Sequence, residues 1–568
     1  MDERPWLKQY DKGVPFKIDY PPVPVFYFLE EAARKHPETA CTIFKGARIS
    51  YKEMDELTDR LAAGLADLGV KKGDRVGLII PNTPQFVMAY FAILKLGAIV
   101  VANNPLYSAR EIEHQVNDSG IEIMIVMSNF YKITKEVQPK TKIRTVVVTN
   151  IKETLPPVLA FLFGLTKEKK GGFRVELAEG DVWMKDLIDR HKPEDRVKVE
   201  VGPDDVAIFQ YSGGTTGVSK AAVDLHRNLV ADTLMIRSWI TNCAEGCEVV
   251  LMAIPLFHVY GMVAGMCFAM RAAATMVMIP NPRDIKDVLE NLQKYKASIY
   301  PGVPTMYNAI NNHPDVQAKK YNLSSIKACI SGSAPLMRET KDRFEALTGG
   351  KLVEGFGMSE TPTATHCNPL FGKNPPGSIG LPLPDMDVRI ISLDDEVTVL
   401  PPGEVGELVV KGPVVMRGYH NMPTETANAL RDGWLYTGDI ARMDEEGFFY
   451  IVDRKKELIK PGGYQVWPRE VEEVIIQNPK VLEVGVAGIP DAYRGETVKA
   501  WVVPKPGQEL TEDEIKEWCK DRIAKFKVPT QVEFRTELPK TLVGKILRRV
   551  LVEEEKQKLA EQQAAAKK

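Results

Sequence analysis

The sequence predicts an α/β protein. It has a large N-terminal domain of two doubly wound α/β subdomains plus a small β-rich subdomain, followed by a small α+β C-terminal domain. Three observations carry that prediction. The chain has 568 residues, and a prior of about 150 residues per domain suggests three or four folding units. Before Gly377, short apolar runs alternate with helical periods, the pattern of parallel sheets covered by helices on both faces. After Gly377 the texture turns to Gly, Pro and short strands, and after Asp453 to a small mixed module. The expected boundaries are 1–452 for the N-terminal domain, with its β-rich part at about 377–452, and 453–568 for the C-terminal domain.

The elements follow in order. Tyr51 to Leu68 places Leu57, Leu61, Leu65 and Leu68 near one face of an amphipathic helix. RVGLII (75–80) reads as a strand, Pro84 to Leu96 as a helix and AIVVAN (98–103) as the next strand. A helix around Glu111 to Val116 leads into IEIMIV (121–126) and TVVVT (145–149). The alternation resumes after Asp205 with VAIFQY, the helix His226 to Trp239, and VVLMAIP (249–255), TMVMIP (275–280) and ASIYPGV (297–303), read as a second doubly wound unit. VRIIS, GELVVKG and FFYIVD make the β-rich part. EVEEVIIQ, EVGVAGIP, KAWVVP and EIKEWCKDRI make the terminal module, and Glu553 to Lys568 a frayed helix.

Composition excludes several classes. With 74 Lys and Arg against 76 Asp and Glu, the chain lacks the basic excess of a nucleic-acid binder. A 44% hydrophobic, 26% charged chain is an ordinary globular composition. Seven cysteines, of which only Cys243 and Cys247 lie close together, make neither a disulfide framework nor a finger-type zinc site. The polar start MDERPWLKQYDKG carries no signal-peptide core. Val259 to Pro280 is apolar but broken by Arg271, so a buried helix and strand are expected there. A cytoplasmic location is expected. The stretch LPPVLAFLFGLTKEKKGG (155–172) is too short to span a bilayer. It reads either as a surface hairpin packed on its own domain or as a segment resting on a lipid surface, with lysines at headgroup level. A peripheral position at the inner membrane face therefore stays open, as does a homodimer.

The most informative segment is YSGGTTGVSK (211–220), placed between the strand VAIFQ and a helix. Gly213, Gly214 and Gly217 let backbone N–H groups turn toward an anion. Ser212, Thr215 and Thr216 add hydroxyls and Lys220 a charge, which suits a polyphosphate. Val218 and Ser219 separate Gly217 from Lys220, so this is not a Walker A loop, nor is it G-x-G-x-x-G. Alone, it would be an ordinary Gly/Ser/Thr turn.

It does not stand alone. PLFHVYG (255–261), SGSAPL (331–336), GFGMSE (355–360), WLYTGD (434–439), DRKKELIKPGGYQVWPREVE (453–472) and PKTLVGKILRR (539–549) follow it. Together these segments resemble, in order, the signatures of the acyl-adenylate-forming superfamily of acyl-CoA synthetases, luciferases and peptide-synthetase adenylation domains. The departures are conservative: Ser219 for Pro, Ala221 for Gly, Phe356 for Tyr and Ser359 for Thr.

The resemblance implies a mobile C-terminal domain that swings on a hinge at Asp453. It also implies ATP-dependent activation of a carboxylic acid, with Mg²⁺ and coenzyme A. Lys545 is implied to be catalytic. Glu360 and Thr215 would hold the metal. Ser212 to Gly217, Lys220, Ser333, Ala334, Pro335, Glu354, Gly355, Phe356, Gly357, Ser359, Asp439, Ile451 and Arg454 would hold the nucleotide. His258, Val259, Tyr260, Gly261, Gly302 and Gly332 would line the acyl site, and Gly462 and Gly463 the pantetheine path. Lys455, Lys456 and Lys460 are candidates for CoA phosphates. A lone Glu, Lys or Asp is ordinarily a solvated surface charge; only the motif context says otherwise. The reading is a medium- or long-chain fatty acyl-CoA synthetase. The alternatives are an aryl-CoA ligase for benzoate- or coumarate-like acids and a stand-alone enzyme loading a carrier protein.

Overall fold

The structure, a computed structural model, describes residues 4–211, 219–461, 466–491, 494–541 and 546–566. These residues divide into two compact units. One holds 4–211, 219–387 and 411–433; the other holds 388–410 and the described residues from 434 onward.

The first unit is built on two sheets. Strands β1 (Ala40–Phe44) and β2 (Ala47–Ser50) come first in the chain. β3 (Arg75–Ile79), β4 (Ile99–Ala102), β5 (Ile123–Met127), β6 (Thr145–Thr149), β7 (Val182–Trp183), β8 (Val206–Tyr211) and β9 (Ala221–Leu225) follow. They form a sheet of order β9-β8-β4-β3-β5-β6-β7, with the two-residue strand Gly418–Tyr419 on the outer side of β9. β3 to β8 pair in parallel; β9 and Gly418–Tyr419 add antiparallel edges. β3 to β6 are buried nearly throughout, as a sheet covered on both faces requires.

The second sheet contains β10 (Val249–Met252), β11 (Thr275–Met278), β12 (Ala328–Ser331), β13 (Lys351–Phe356), β14 (His366–Cys367) and β15 (Leu381–Pro382). β2-β1-β11-β10 and β12-β13-β14-β15 are joined by single bridges through Ile299, to Val250 on one side and Ala328 on the other.

Several expectations change here. VAIFQY, expected in the second unit, is β8 of the first sheet, paired in parallel with β4. β1 and β2, from the start of the chain, complete the second sheet beside β11. Apolar runs buried on both faces carry no mark of which sheet they join. ASIYPGV contributes isolated bridges at Ile299 and Gly302 rather than a strand. Pro301 has no N–H for a ladder, and Pro304 opens a helix. The amphipathic helix spans Tyr51–Asp67 and opens on a capping box, with the Ser50 side chain accepting from Glu53 N and the Glu53 carboxylate from Ser50 N. Its buried face is Met54, Thr58, Leu61 and Leu65, whereas Leu57 and Leu68 are only half-buried. Val259 to Pro280 becomes a π-helix Tyr260–Cys267, one α-helical turn Phe268–Arg271 and β11. The hairpin reading of 155–172 is overturned: Pro157–Thr166 is a helix with no buried residue. No described helix is long and apolar enough to cross a membrane.

In the second unit, strands Asp387–Ile391, Val405–Lys411, Trp434–Met443 and Phe449–Arg454 run side by side. Beyond them Val481–Asp491 and Gly495–Pro504 form a long antiparallel pair, with Gln531–Phe534 parallel to the latter. Val471, Ile475, Val486, Val502 and Ile515 make a core between these strands and the helices Pro468–Ile475 and Glu512–Lys520. The β-rich strands thus group with the terminal module. One physical reason is Asp453, whose buried carboxylate accepts from the Arg469 N–H in the first turn of helix Pro468–Ile475 (2.7 Å).

Candidate active site

In the first unit the ends of β12 and β13, the loop after β13 and the start of the π-helix line an apolar cavity. His258, Val259, Tyr260 and Gly332, expected at the acyl site, line it together with Ser333, Gly355, Phe356 and Gly357, which the resemblance had given to the nucleotide. Sequence reasoning missed Ile236 and Trp239, one turn apart on the helix His226–Trp239, and Ala264, His366, Cys367 and Leu383. Trp239 ends a helix whose apolar spacing reads as core, so only its placement reveals it as a wall. Gly261 and Gly302 do not line the cavity. A Cβ on Gly261 would meet Pro255 O at 2.3 Å, and one on Gly302 the Tyr307 ring at 2.7 Å, so both permit close packing.

The walls are pinned. Tyr260 OH donates to Ile330 O (2.5 Å), and Trp239 Nε1 to Asn368 O (3.0 Å). Tyr260 N donates to His258 Nδ1 (3.2 Å), and burial pulls the His258 pKa down to about 4. His366 shares a hydrogen bond with Thr365 Oγ1 and is lowered to about 3 by burial. Both rings are therefore neutral near pH 7 and add no charge to an apolar space. Ser333 (φ +68°) and Thr363 (φ +137°) hold left-handed backbone unusual for non-glycine residues, and both line the cavity. Gly357 lies so close to Thr363 that a Cβ would fall 1.2 Å from its carbonyl oxygen.

Ser333 and Pro335 are exposed and Ala334 is half-buried. The buried Glu354 carboxylate accepts from Leu336 N (2.9 Å), which fixes that turn. Ser359 and Glu360 are half-buried. Tyr419 OH donates to Glu360 Oε1 (2.8 Å), and Met416 N to Glu360 O (2.9 Å). Asp224 and Asp232 are fully buried. Burial pushes both carboxyls well up, and the Glu360 charge adds to the shift of Asp224. Lys220 Nζ contacts Glu425 and lies 5.1 Å from the centre of the Tyr419 ring. Ser212, Gly213, Gly214, Thr215, Thr216 and Gly217 lie outside the described residues. Among the described residues no group of three or more His, Cys, Asp or Glu could hold a metal alone. A single half-buried carboxylate such as Glu360, joined by phosphate oxygens and water, is a normal magnesium shell, so the donor set fits Mg²⁺ arriving with a nucleotide.

In the second unit, Asp439 and Arg454 face each other across the strands Trp434–Met443 and Phe449–Arg454, with Arg454 Nε 2.7 Å from Asp439 Oδ1. Ile451 sits on the same strand as Arg454, half-buried opposite Ala441. Burial raises the Asp453 pKa to about 6 against hydrogen bonds from the backbone N–H groups of Arg469 and Arg454. Lys455 is engaged by Glu396 (2.6 Å) and Glu407 (2.8 Å), which argues against its use for a CoA phosphate; Lys456 and Lys460 are exposed. Gly462, Gly463 and Lys545 lie outside the described residues.

Comparison with known proteins places this geometry. The family model for AMP-binding enzymes matches residues 29–420, and the model for the C-terminal domain of AMP-binding enzymes matches residues 470–545. The chain is 42% identical over 558 residues to a long-chain-fatty-acid–CoA ligase of Bacillus subtilis (strain 168), covering 98% of this chain and 99% of that protein. It is 37% identical over 569 residues to a long-chain-fatty-acid–CoA ligase of Escherichia coli O6:H1, with 98% and 99% covered. Its fold is similar to that of ATP-bound MatB from Rhodopseudomonas palustris, with a TM-score of 0.82, 27% identity, and 94% of this chain and 99% of that chain covered. With both family models matched and full-length relatives on either side, the chain belongs to the AMP-binding enzyme family.

Proposed function

We infer that the protein activates a medium- or long-chain fatty acid with ATP and passes the acyl group to coenzyme A. The observation that supports this most is the pinned apolar cavity, lined by Ile236 and Trp239 together with Ser333 and Gly357. Among the described residues that line it, none carries a charge that could anchor an amine or a second carboxylate.

In the first step a carboxylate oxygen of the acid bonds to the α-phosphorus of ATP, and the bond from that phosphorus to the bridging oxygen breaks. Pyrophosphate leaves with the electron pair. A carboxylate with a pKa of about 4.3 is already ionised at pH 7, so no general base is needed. The demand is electrostatic. We assign Glu360 and Thr215 as metal ligands. Bound Mg²⁺ would supply charge neutralisation at the phosphates. Ser212 to Gly217 and Lys220 receive the β- and γ-phosphates, and Glu354 to Gly357 with Ser333 to Pro335 and Ser359 receive the adenine and α-phosphate. Asp439, held by Arg454 and followed on the partner strand by Ile451, accepts from the ribose hydroxyls. Lys545 bridges the attacking carboxylate and the α-phosphate. In the second step the CoA sulfur bonds to the acyl carbon, the bond from that carbon to the AMP oxygen breaks, and the thiol proton goes to solvent. We assign a rotation about Asp453 between the steps, after which Gly462 and Gly463 line the thiol's path. For the segment 155–172 we assign contact with a membrane surface, supported by its exposed apolar side chains.

The test is an acid panel, from short to long alkyl acids with benzoate and coumarate, assayed for AMP and pyrophosphate with and without CoA. Fatty-acid-dependent AMP formation with acyl-CoA as product supports the assignment. AMP formation with aryl acids alone, or none with any acid, overturns it. Lys545→Ala should abolish acyl-adenylate formation and leave thioester formation from supplied acyl-adenylate largely intact; equal loss in both refutes its role.

A further inference from the structure

We propose that the helix Pro157–Thr166 docks on an anionic lipid bilayer, seating its outward apolar stripe among the acyl chains of one leaflet and ringing it with lysines at the phosphates. This deepens the membrane assignment above by naming the lipid chemistry, the depth and the side chains.

The helix PVLAFLFGLT contains no ionisable residue. Val158, Phe161 and Leu165 are 71%, 68% and 68% exposed, with Leu162 at 47%. Their spacing of three and four residues sets them on one face. An acid-free stripe of this kind on a water-facing surface marks a docking site. On the other side Phe163 meets the Phe173 ring edge-on at 5.3 Å, so the helix has an inside and an outside. Its base is fixed. Buried Glu168 accepts from Lys152 Nζ (2.5 Å) and from Asn150 Nδ2 (3.1 Å), which ties the chain just past the helix to the chain just before it. The segment is therefore an exposed spur tied down at its base.

Ten residues at 1.5 Å each make about 15 Å, half of a 30 Å hydrocarbon core, so the spur reaches one leaflet and cannot span two. The charges decide the occupant. Lys167, Lys169 and Lys170 follow the last turn, all exposed, and none has an ion-pair partner among the described residues. From 157 to 172 the only acid is Glu168, and it is turned inward. Phosphate headgroups complement that rim while the lysine stems lie along the apolar side. A second copy of this chain would bring lysines to the same apolar face with no outward acid in the segment to meet them.

The test uses the full-length protein, sedimented with phosphatidylcholine vesicles with and without phosphatidylglycerol. Binding should require phosphatidylglycerol and weaken as salt rises. Phe161→Asp with Leu165→Asp should lower the vesicle partition coefficient at least about tenfold. Lys167→Gln with Lys169→Gln and Lys170→Gln should lower it on the order of a hundredfold. Both variants should keep the thermal midpoint and the vesicle-free rate on a soluble acid, which shows that they fold. Absence of wild-type binding overturns the proposal, as does equal binding by the variants. A self-associated species that Phe161→Asp dissolves also overturns it and assigns the face to a second copy. Because the vesicle assay contains no ATP or acid, docking can fail while acid activation stands, and the reverse.

Discussion

The cavity and the helix Pro157–Thr166 are two apolar surfaces of opposite curvature. The cavity is concave, and its walls are pinned by polar atoms: Tyr260 OH on Ile330 O and Trp239 Nε1 on Asn368 O. Glycines at 332 and 357 let backbone and ring approach closely. The helix is convex, and none of its outward side chains is buried. A surface that must fit one chain needs a fixed shape, so each wall residue has neighbours it cannot lose. A surface that meets disordered acyl chains needs only to be apolar, so its residues are individually replaceable. Sensitivity to substitution should therefore differ sharply between the two.

The largest effect is expected at Gly357→Ala, where the added carbon would overlap the Thr363 carbonyl oxygen. Destabilisation of more than about 3 kcal/mol, with loss of acid-dependent AMP formation, should appear in thermal unfolding and activity assays. Trp239→Ala should cost about 3–5 kcal/mol and shift preference toward longer acids in a competition assay. An unchanged acid profile would show that Trp239 does not bound the substrate. Acid stability comes next. His366 is held neutral, its pKa lowered from 6.5 to about 3. Its contribution is fully present above the unfolded pKa of about 6.5 and is lost as pH falls toward 3. At pH 5 the loss is already about 2 kcal/mol, and His366→Gln should flatten that part of the stability–pH curve. Tyr260→Phe, which removes the donor to Ile330 O, should cost about 1 kcal/mol by denaturant titration. The smallest effect belongs to the other surface: Phe161→Ser should change stability by less than about 0.5 kcal/mol. If it costs as much as Trp239→Ala, the helix is packed and the contrast is broken.

Much of the architecture was legible because burial leaves a periodic trace. The helix His226–Trp239 and strand Thr145–Thr149 have the bounds their apolar runs announce. Sheet membership was not legible: β8 and β11 are both short apolar runs, and only strand pairing sends one beside β4 and the other beside β1. In the site, His258, Val259, Tyr260, Gly332, Phe356 and Gly357 were found from ordered motifs, and the structure brings them to one cavity. Ile236, Trp239, Cys367 and Leu383 had no local signal, since an apolar residue lining a cavity and one filling a core satisfy the same periodicity. Lys455 shows the converse. Its motif suggested a ligand contact, but Glu396 and Glu407, far off in sequence, already engage it.

Pro84–Lys95 and Pro157–Thr166 show where the division falls. Both are proline-started helices of mostly apolar residues, and the sequence alone set that much through spacing and side-chain chemistry. In the first every residue is buried; in the second none is. Lys95, in the former, has a fully enclosed side chain held by Asp55 and Asp59 at 2.6 Å. Local sequence decides what an element is. What lies against it depends on partners brought together from distant parts of the chain, and those distances exist only in the folded molecule.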